Sequence, residues 1–348
     1  RCDEGAQAPA GAQIGSKGLE GLTVENEPRR GEVSVVIPNW NGMRWLDGVL
    51  GSLERQSRRP LETIVVDNGS TDGSVDHLAR RWPHVRVESW PENRGFAAAA
   101  NGGIALATGE LVALVNSDIE LEPDWLERTR EVLIANPGAA SVATKMVDLV
   151  DPSLIYDTGD FLRRDGATEQ RGRFRVDDGR FDSPGEVWSA CAGAALYRGS
   201  AVTGVGGFDE RLFTYLEDVE LGLRLRQAGW RCLYEPAVAR HAGGGSERAL
   251  SGGATLWVER NTIAIVASHF PPRWLGPVLY RQAAWAWHHF RAGTLRSWLR
   301  GLRSGLALVP ALARDRRSRP QPKVPIDQVI PNRPWRGPSA GGHPDSPE

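Results

Sequence analysis

Four side chains able to handle protons or metal ions fall where regular elements are expected to end: Asp67, Asp118, Asp218 and His241. Asp118 is the clearest. Leu111 to Val115 is an aliphatic run of strand length, suited to a strand covered on both faces of a parallel sheet. Asn116-Ser117-Asp118 then sets a carboxylate just past that strand's carboxyl end, the edge where open α/β sheets bind ligands. Asp118 and His241 together would suit a magnesium- or manganese-type ion bridging a diphosphate, with the ion as Lewis acid for a leaving nucleotide. Asp218 is then left for proton abstraction. Its neighbour Glu217 is adjacent, and paired carboxyls raise one another's pKa toward a useful range. Each residue also has an ordinary structural use. Asp67 can cap the Ser70-Thr71 turn, Asp118 or Asp124 the next helix, and Glu217 and Asp218 a helix N-terminus, while His241 can be a plain loop histidine.

The elements that must position these groups alternate along the chain. Val33 to Ile37 reads as a first strand, closed by Pro38 and the Asn39-Trp40-Asn41-Gly42 turn. Trp45 to Gln56 carries a helical stripe, and Glu62 to Val66 is a second strand that stops at the turn formers Asp67 to Gly73. A helix over Ser74–Arg81, a strand over Val85–Ser89 and an Ala-rich helix over Phe96–Ala107 lead to the strand before Asp118. This alternation predicts an α/β fold with a doubly wound parallel sheet. Beyond it, Trp125–Ala135 reads as a helix and Ala140–Val147 as a strand. The polar stretch Asp148–Pro184 suits a loop or small hairpin near a substrate mouth. Val187–Tyr197 reads as one strand, Glu217–Ala228 as a helix, Arg231–Tyr234 as a short strand, and Ala254–Phe270 as a helix. Gly243-Gly244-Gly245 is expected to be flexible.

The order and wording of these segments resemble family 2 inverting glycosyltransferases. The resemblance rests on Val33 to Gly42, Val65 to Ser74, Asn93-Arg94-Gly95-Phe96 with Ala100-Asn101, Asn116-Ser117-Asp118, and Gly206 to Glu210 followed by Glu217 to Leu221. It covers roughly Glu32 to Phe270. It implies a GT-A fold, a mostly parallel nucleotide-binding sheet joined to an acceptor-binding half, over residues 31–270. Pro38, Asn39 and Asp67 would line the base and ribose pocket, with Asp67 accepting a hydrogen bond from a pyrimidine. Arg94 would lie near the nucleotide, and Asn116 and Ser117 in the nucleotide-sugar segment. Asp118 matches the last position of the family's Asp-x-Asp metal motif, and His241 its late metal-associated histidine. Asp218 matches the base of its Glu-Asp motif, with Glu217 beside it. Asn116 departs from the strict motif, keeping a hydrogen-bonding oxygen while losing a charge; Asn there is similar to the rhamnosyltransferase-like branch.

The implied activity is inverting, Mg2+- or Mn2+-dependent transfer of a sugar, rhamnose from dTDP-rhamnose as the first choice, to a hydroxyl of a cell-surface glycan or lipid-linked acceptor. A UDP-linked donor is the nearest alternative. A sugar nucleotidyltransferase would need an early Gly-rich pyrophosphate loop, which Asn39 to Gly42 does not supply. A non-catalytic nucleotide-sugar binder would be expected to lack Asp118, Asp218 or His241.

The whole chain bounds these readings. Its 348 residues can bury a substantial core, and a formal charge of −1 offers nothing to nucleic acid. Cys2, Cys191 and Cys232 form neither a disulfide framework nor a zinc spacing, so a reducing cytoplasm is the expected compartment. There is no apolar run of spanning length. The chain starts at Arg1 rather than Met, which leaves room for an upstream signal. Residues 1–30 are expected to be a disordered lead-in and 320–348 a Pro/Gly-rich disordered tail. Between Arg273 and Arg319 stand ten arginines against one acid, Asp315. In this 271–319 segment, Leu295, Trp298, Leu299, Leu302, Leu306 and Val309 form a helical stripe among Arg296, Arg300 and Arg303. Such a basic amphipathic helix suits an anionic membrane surface, and would make the protein peripheral on the inner face of the membrane; the other reading is a helix packed on the catalytic domain with its basic face in solvent.

Overall fold

The computed structural model describes residues 28–243, 253–318 and 321–332. The first strand, β1 (Arg29–Asn39), buries Val35, Val36 and Ile37 completely, as a β-branched run covered on both faces should. α1 (Met43–Glu54) lays Leu46, Val49, Leu50 and Leu53 on the sheet. Then come β2 (Glu62–Asn68), α2 (Ser74–Arg81), β3 (Arg86–Trp90), α3 (Phe96–Leu106) and β4 (Gly109–Val115). These strands pair in parallel in the order β3-β2-β1-β4. The leucines of α1 and α2 join one core cluster, and the alanines of α3 join another on the opposite face. The chain therefore reverses its winding between β1 and β4. That is the topological switch point, where a crevice opens beyond the strands' carboxyl ends.

The second half widens this sheet. β5 (Ile119–Leu121) and α4 (Trp125–Ala135) lead into β6 (Ala139–Asp148). The polar excursion that follows holds β7 (Ile155–Asp157), β8 (Asp160–Leu162) and β9 (Thr168–Gln170), the last two a hairpin. The chain returns through β10 (Gly185–Val187), β11 (Ala194–Arg198), α5 (Gly199–Gly204), α6 (Glu217–Gln227) and β12 (Arg231–His241). The sheet continues past β4 as β11-β6-β12-β10. β11 is antiparallel to both of its neighbours, so β6 and β12 run the same way as β1 to β4. This is the α/β, mostly parallel GT-A arrangement the sequence implies.

Two strands differ from expectation for physical reasons. Val187–Tyr197 is not one strand. Residues 188–193 lie outside the two strands because their backbone has other partners: Ala192 donates its N–H to the Asp218 carboxylate. β12, conversely, does not stop at Tyr234. It crosses Pro236, which lacks a ladder donor, by a register shift between Glu235 and Val238, and runs on to His241.

The C-terminal helices are α7 (Gly253–His269), α8 (Leu275–Arg291), α9 (Leu295–Ser318) and α10 (Ile326–Val329). α9 lies along α7 at backbone contact. A Cβ on Gly301 would meet the Leu256 carbonyl oxygen at 2.4 Å, and one on Gly305 the Arg260 carbonyl oxygen at 2.7 Å. Trp298 and Leu312 are buried. The apolar stripe expected to be free for a membrane is thus partly occupied by the protein itself. Residues 321–332 correct the expected disordered tail. Val329 and Ile330 are buried, Val324 donates its N–H to Gln227 (2.9 Å), and Trp188 Nε1 donates to the Val329 carbonyl (2.9 Å). The apolar spacing of Val324, Ile326, Val329 and Ile330 outweighs the surrounding Pro-rich composition. Similarly, Arg29 and Arg30, placed in the lead-in by sequence, already belong to β1. The remaining lead-in, the end of the tail and Gly244-Gly245 lie outside the described residues. No described helix is long and apolar enough to cross a membrane.

Candidate active site

A cavity of about 630 Å³ opens at the carboxyl ends of β1 and β4. Its β1 wall is Pro38 and Asn39. Asn39 Nδ2 donates to Asp67 Oδ1 (2.9 Å), and Asp67 Oδ2 accepts the Ser70 N–H (3.1 Å). Asp67 therefore sits behind Asn39, outside the residues that line the cavity, while Asn39 Oδ1 is buried without a partner. Gly42 permits this closeness, since a Cβ there would meet Asn39 Oδ1 at 2.4 Å and Ser117 Oγ at 2.7 Å.

Asn116, Ser117 and Asp118 leave β4 on the opposite side of the same cavity. The antiparallel pairing of β12 with β5 sets His241 opposite Ile119. His241 Nε2 comes to 3.3 Å from Asp118 Oδ1, with both side chains nearly buried. The Tyr156 ring packs edge-on against the imidazole, 4.1 Å between centroids, and His241 Nδ1 is buried without a partner. Two ligands on adjacent corners of an octahedron with bonds of about 2.1 Å stand roughly 3 Å apart. The pair fits a hard divalent ion that completes its shell with substrate oxygens. A separate cluster of ligand types, Asp157, Asp160 and Cys191, lies within 4.8 Å of itself and is largely buried.

Asp218 opens α6 at the cavity wall. The backbone leading to it is strained. Phe213, Tyr215 and Leu216 all have positive φ (64°, 67° and 66°), a region that costs non-glycine residues energy. Asn261 of α7, fully buried, holds this segment. Its Nδ2 lies 2.8, 2.8 and 2.6 Å from the carbonyl oxygens of Leu212, Thr214 and Tyr215. Asp218 itself accepts the N–H groups of Ala192 at Oδ2 (3.0 Å) and of Val219 at Oδ1 (2.8 Å).

The electrostatics around Asp218 are those of crowded buried acids. Burial pushes the Asp218 carboxyl above its ordinary range, partly offset by those two N–H donors. Glu217 is pushed well above the carboxylate range by burial and then by the Asp218 charge, and its Oε2 has no partner. Asp157 is raised to about 6 by burial first, and Asp160 well above its usual range by burial and then by Asp157 and Asp218. Of the adjacent Glu-Asp pair, Glu217 is pushed up the further, with the Asp218 charge among the causes.

The cavity thus gathers Pro38, Asn39, Asn116, Ser117, Asp118, Glu217, Asp218 and His241 into one space. Asp67 stands one layer back. Arg94 does not line the cavity; its guanidinium lies over the Trp90 ring (4.6 Å) and 3.9 Å from Glu210. The cation among the lining residues is Arg173, from the polar excursion, stacked on Tyr156 (4.2 Å). Arg173, Tyr156, Asp160 and Asn261 were not singled out by sequence. The first three lie in the Arg/Asp-rich stretch read only as a loop near a substrate mouth, and one more asparagine in a helix carries no local signal.

The crevice at the switch point is joined through the antiparallel β11 to the second half of the sheet. A family described as Glycosyl transferase family 2 matches residues 34–203. Curated relatives in two strains of Mycobacterium tuberculosis, CDC 1551 / Oshkosh and ATCC 25618 / H37Rv, are N-acetylglucosaminyl-diphospho-decaprenol L-rhamnosyltransferases. Each is 30% identical over 300 residues, covering 78% of this chain and 91% of the relative. A pre-mycofactocin glycosyltransferase of the CDC 1551 / Oshkosh strain is 33% identical over 214 residues, 60% of this chain and 42% of its own. The solved structure described as GalNAc-T7 with UDP, GalNAc and Mn2+ has the same fold, with a TM-score of 0.56 at 15% identity, covering 69% of this chain and 48% of that one. The chain belongs to glycosyl transferase family 2.

Proposed function

We propose that this glycosyltransferase moves rhamnose from dTDP-rhamnose to a hydroxyl of a lipid-linked glycan acceptor, inverting the anomeric centre in one displacement. The observation that carries the reading is that the Asp218 carboxylate shares one cavity with the Asp118–His241 pair and the β1 edge. The similarity to rhamnosyltransferases that act on a decaprenol-linked sugar supports the donor and the kind of acceptor. A decaprenol-linked acceptor is a lipid, so the reaction would take place at a membrane surface.

In this reading the nucleotide base lies against Pro38 and Asn39. Asn39 Oδ1, buried and unpartnered, accepts from the pyrimidine N–H, while Asp67 orients the amide from behind. Asp118 and His241 would hold Mg2+ or Mn2+, which when bound offsets charge on the departing diphosphate. Arg173 faces the same space and adds fixed positive charge there. Asp218 takes the proton of the acceptor hydroxyl as that oxygen attacks the anomeric carbon from the side opposite the diphosphate. Its two backbone donors hold both oxygens in place and leave each a further lone pair. Glu217, pushed up further than Asp218, favours the charge on Asp218. Because one displacement suffices, no covalent sugar–enzyme species is formed.

The test is a donor panel of dTDP-rhamnose, UDP-galactose and UDP-N-acetylglucosamine with and without Mn2+, read by thermal shift and then by nucleotide release with a decaprenyl-diphosphate-N-acetylglucosamine acceptor. Stabilisation and turnover greatest with dTDP-rhamnose and Mn2+ are expected. A preference for a UDP-sugar would replace the donor, and no turnover with any donor would refute the assignment.

A further inference from the structure

α8 carries an apolar face directed away from the protein. Its inner side packs through Val278 and His289, which are buried, whereas Leu279, Tyr280, Trp287 and Phe290 are 66, 80, 61 and 62% exposed. At about 100° per residue, Leu275, Leu279, Phe290, Ala283, Trp287 and Tyr280 follow one another across an arc of roughly 140°. No charged side chain projects into that arc; Arg291 comes just beyond it and Arg281 on the far side. Single exposed apolar residues are ordinary, but a contiguous face of large ones marks a surface that meets something else.

The charge around this face selects its occupant. Between Arg273 and Arg319 there are ten arginines and one acid. Arg296, Arg300, Arg303 and Arg314 are exposed along the outer side of α9, which joins α8 through the turn at Ala292–Thr294. Leu299 and Leu306 are exposed beside them. A second copy of this chain would set the same basic surface against itself, which like charges oppose. An anionic bilayer complements it. Tryptophan and tyrosine prefer the level of lipid headgroups, and arginines at the rim can extend their charge toward phosphates. No described helix can span a membrane, so the contact is one in which a helix lies along the surface.

We propose that α8 docks this protein on an anionic lipid surface, with Leu279, Tyr280, Trp287 and Phe290 entering the interface and the arginines of α9 meeting the headgroups. The inference moves the membrane contact from the α9 stripe, which α7 partly covers, to α8. It rests on the proposed lipid-linked acceptor only for its purpose, since the binding itself needs no acceptor.

The full chain is mixed with phosphatidylcholine vesicles with and without phosphatidylglycerol and sedimented, alongside the triple variant Leu279→Ser/Trp287→Ser/Phe290→Ser and the variant Arg296→Gln/Arg300→Gln/Arg303→Gln. Vesicle binding that requires phosphatidylglycerol is expected, falling at least tenfold in each variant. Because the substituted side chains are exposed, thermal unfolding and transfer to a water-soluble acceptor analogue should be unchanged in both variants. Wild-type protein that ignores anionic vesicles, or a triple variant that binds as well as wild type, overturns the proposal. So does a dimer in solution that the triple variant dissociates, since a second copy would then be the occupant. Vesicle binding by a protein that transfers no sugar to a lipid-linked acceptor would uphold the docking face and sink the acceptor reading instead.

Discussion

Asn261→Ala should weaken both the fold and the reaction through one contact. Asn261 donates into the stretch that delivers Asp218, where Phe213, Tyr215 and Leu216 hold positive φ. Each such residue stores on the order of 1 kcal/mol or more, so the segment relaxes unless something restrains it. Leu212 keeps another donor in the Thr214 N–H, but the Thr214 and Tyr215 carbonyls lose the amide. Both carbonyls are half-buried at the cavity wall, so each lost bond costs about 1 kcal/mol, about 2 kcal/mol for the pair. For a folded unit of roughly 300 residues the entropy of unfolding is about 0.6 kcal/mol/K, so Tm should fall by about 3 °C. Turnover should fall at least about tenfold, because a base displaced by an ångström loses about a hundredfold. The KM for donor should hold, since Asn39, Asp118 and His241 stand on other elements. Calorimetry and steady-state kinetics on the purified variant read all three. A Tm within a degree of wild type together with kcat within twofold would refute the clamp.

Other perturbations separate the remaining parts. Asp118→Ala should abolish stimulation by Mn2+ and weaken donor binding together, seen in a metal titration of the thermal shift; an unchanged titration contradicts the metal assignment. Arg173→Gln should lower kcat more than Arg94→Gln does, because Arg173 lines the cavity and Arg94 does not; equal or reversed effects on kcat would return the role to Arg94. Stability should fall as pH rises from about 4. Asp157, Asp160 and Glu217 have folded pKa values raised above about 4, the value of the unfolded chain, so the stability they contribute is present at low pH and lost through the folded values. For Asp157, raised to about 6, the loss is about 3 kcal/mol. Tm measured from about pH 4 to 8 should decline, the Asp157 share being lost between about 4 and 6, and Asp160→Asn should flatten the decline; a Tm that rises across that range contradicts the buried-acid picture.

The parallel half was open to sequence reading because its signals are local. Aliphatic runs of strand length, helical stripes and turn formers recur in order, and Asp118 falls at a strand end by simple counting. The grouping of Asp118, Asp218 and His241 also followed, since carboxyl ends of parallel strands converge. What stayed hidden depends on partners distant in sequence. Nothing near Trp188 announces that residues 188–193 serve Asp218 and the C-terminal segment instead of a ladder, and Pro236 hid the continuation of β12. Val329 and Ile330 are core residues set in a Pro-rich stretch, so composition spoke against them. The outward face of α8 escaped because its more polar side, with Arg281, Gln282 and His289, is turned inward while the apolar side faces out, the reverse of the usual amphipathic helix. Arg94, placed by motif, stacks on Trp90 while its neighbours Asn93 and Gly95 line the cavity.

The most direct measurement is transfer by Asp218→Asn, assayed with donor, acceptor and Mn2+ beside donor binding by calorimetry. A positioned base contributes about 10²–10⁴-fold, so turnover should drop by at least a hundredfold while the Kd for donor stays within about twofold. Turnover close to that of wild type would mean that another group takes the acceptor's proton, and the account of this cavity would fail.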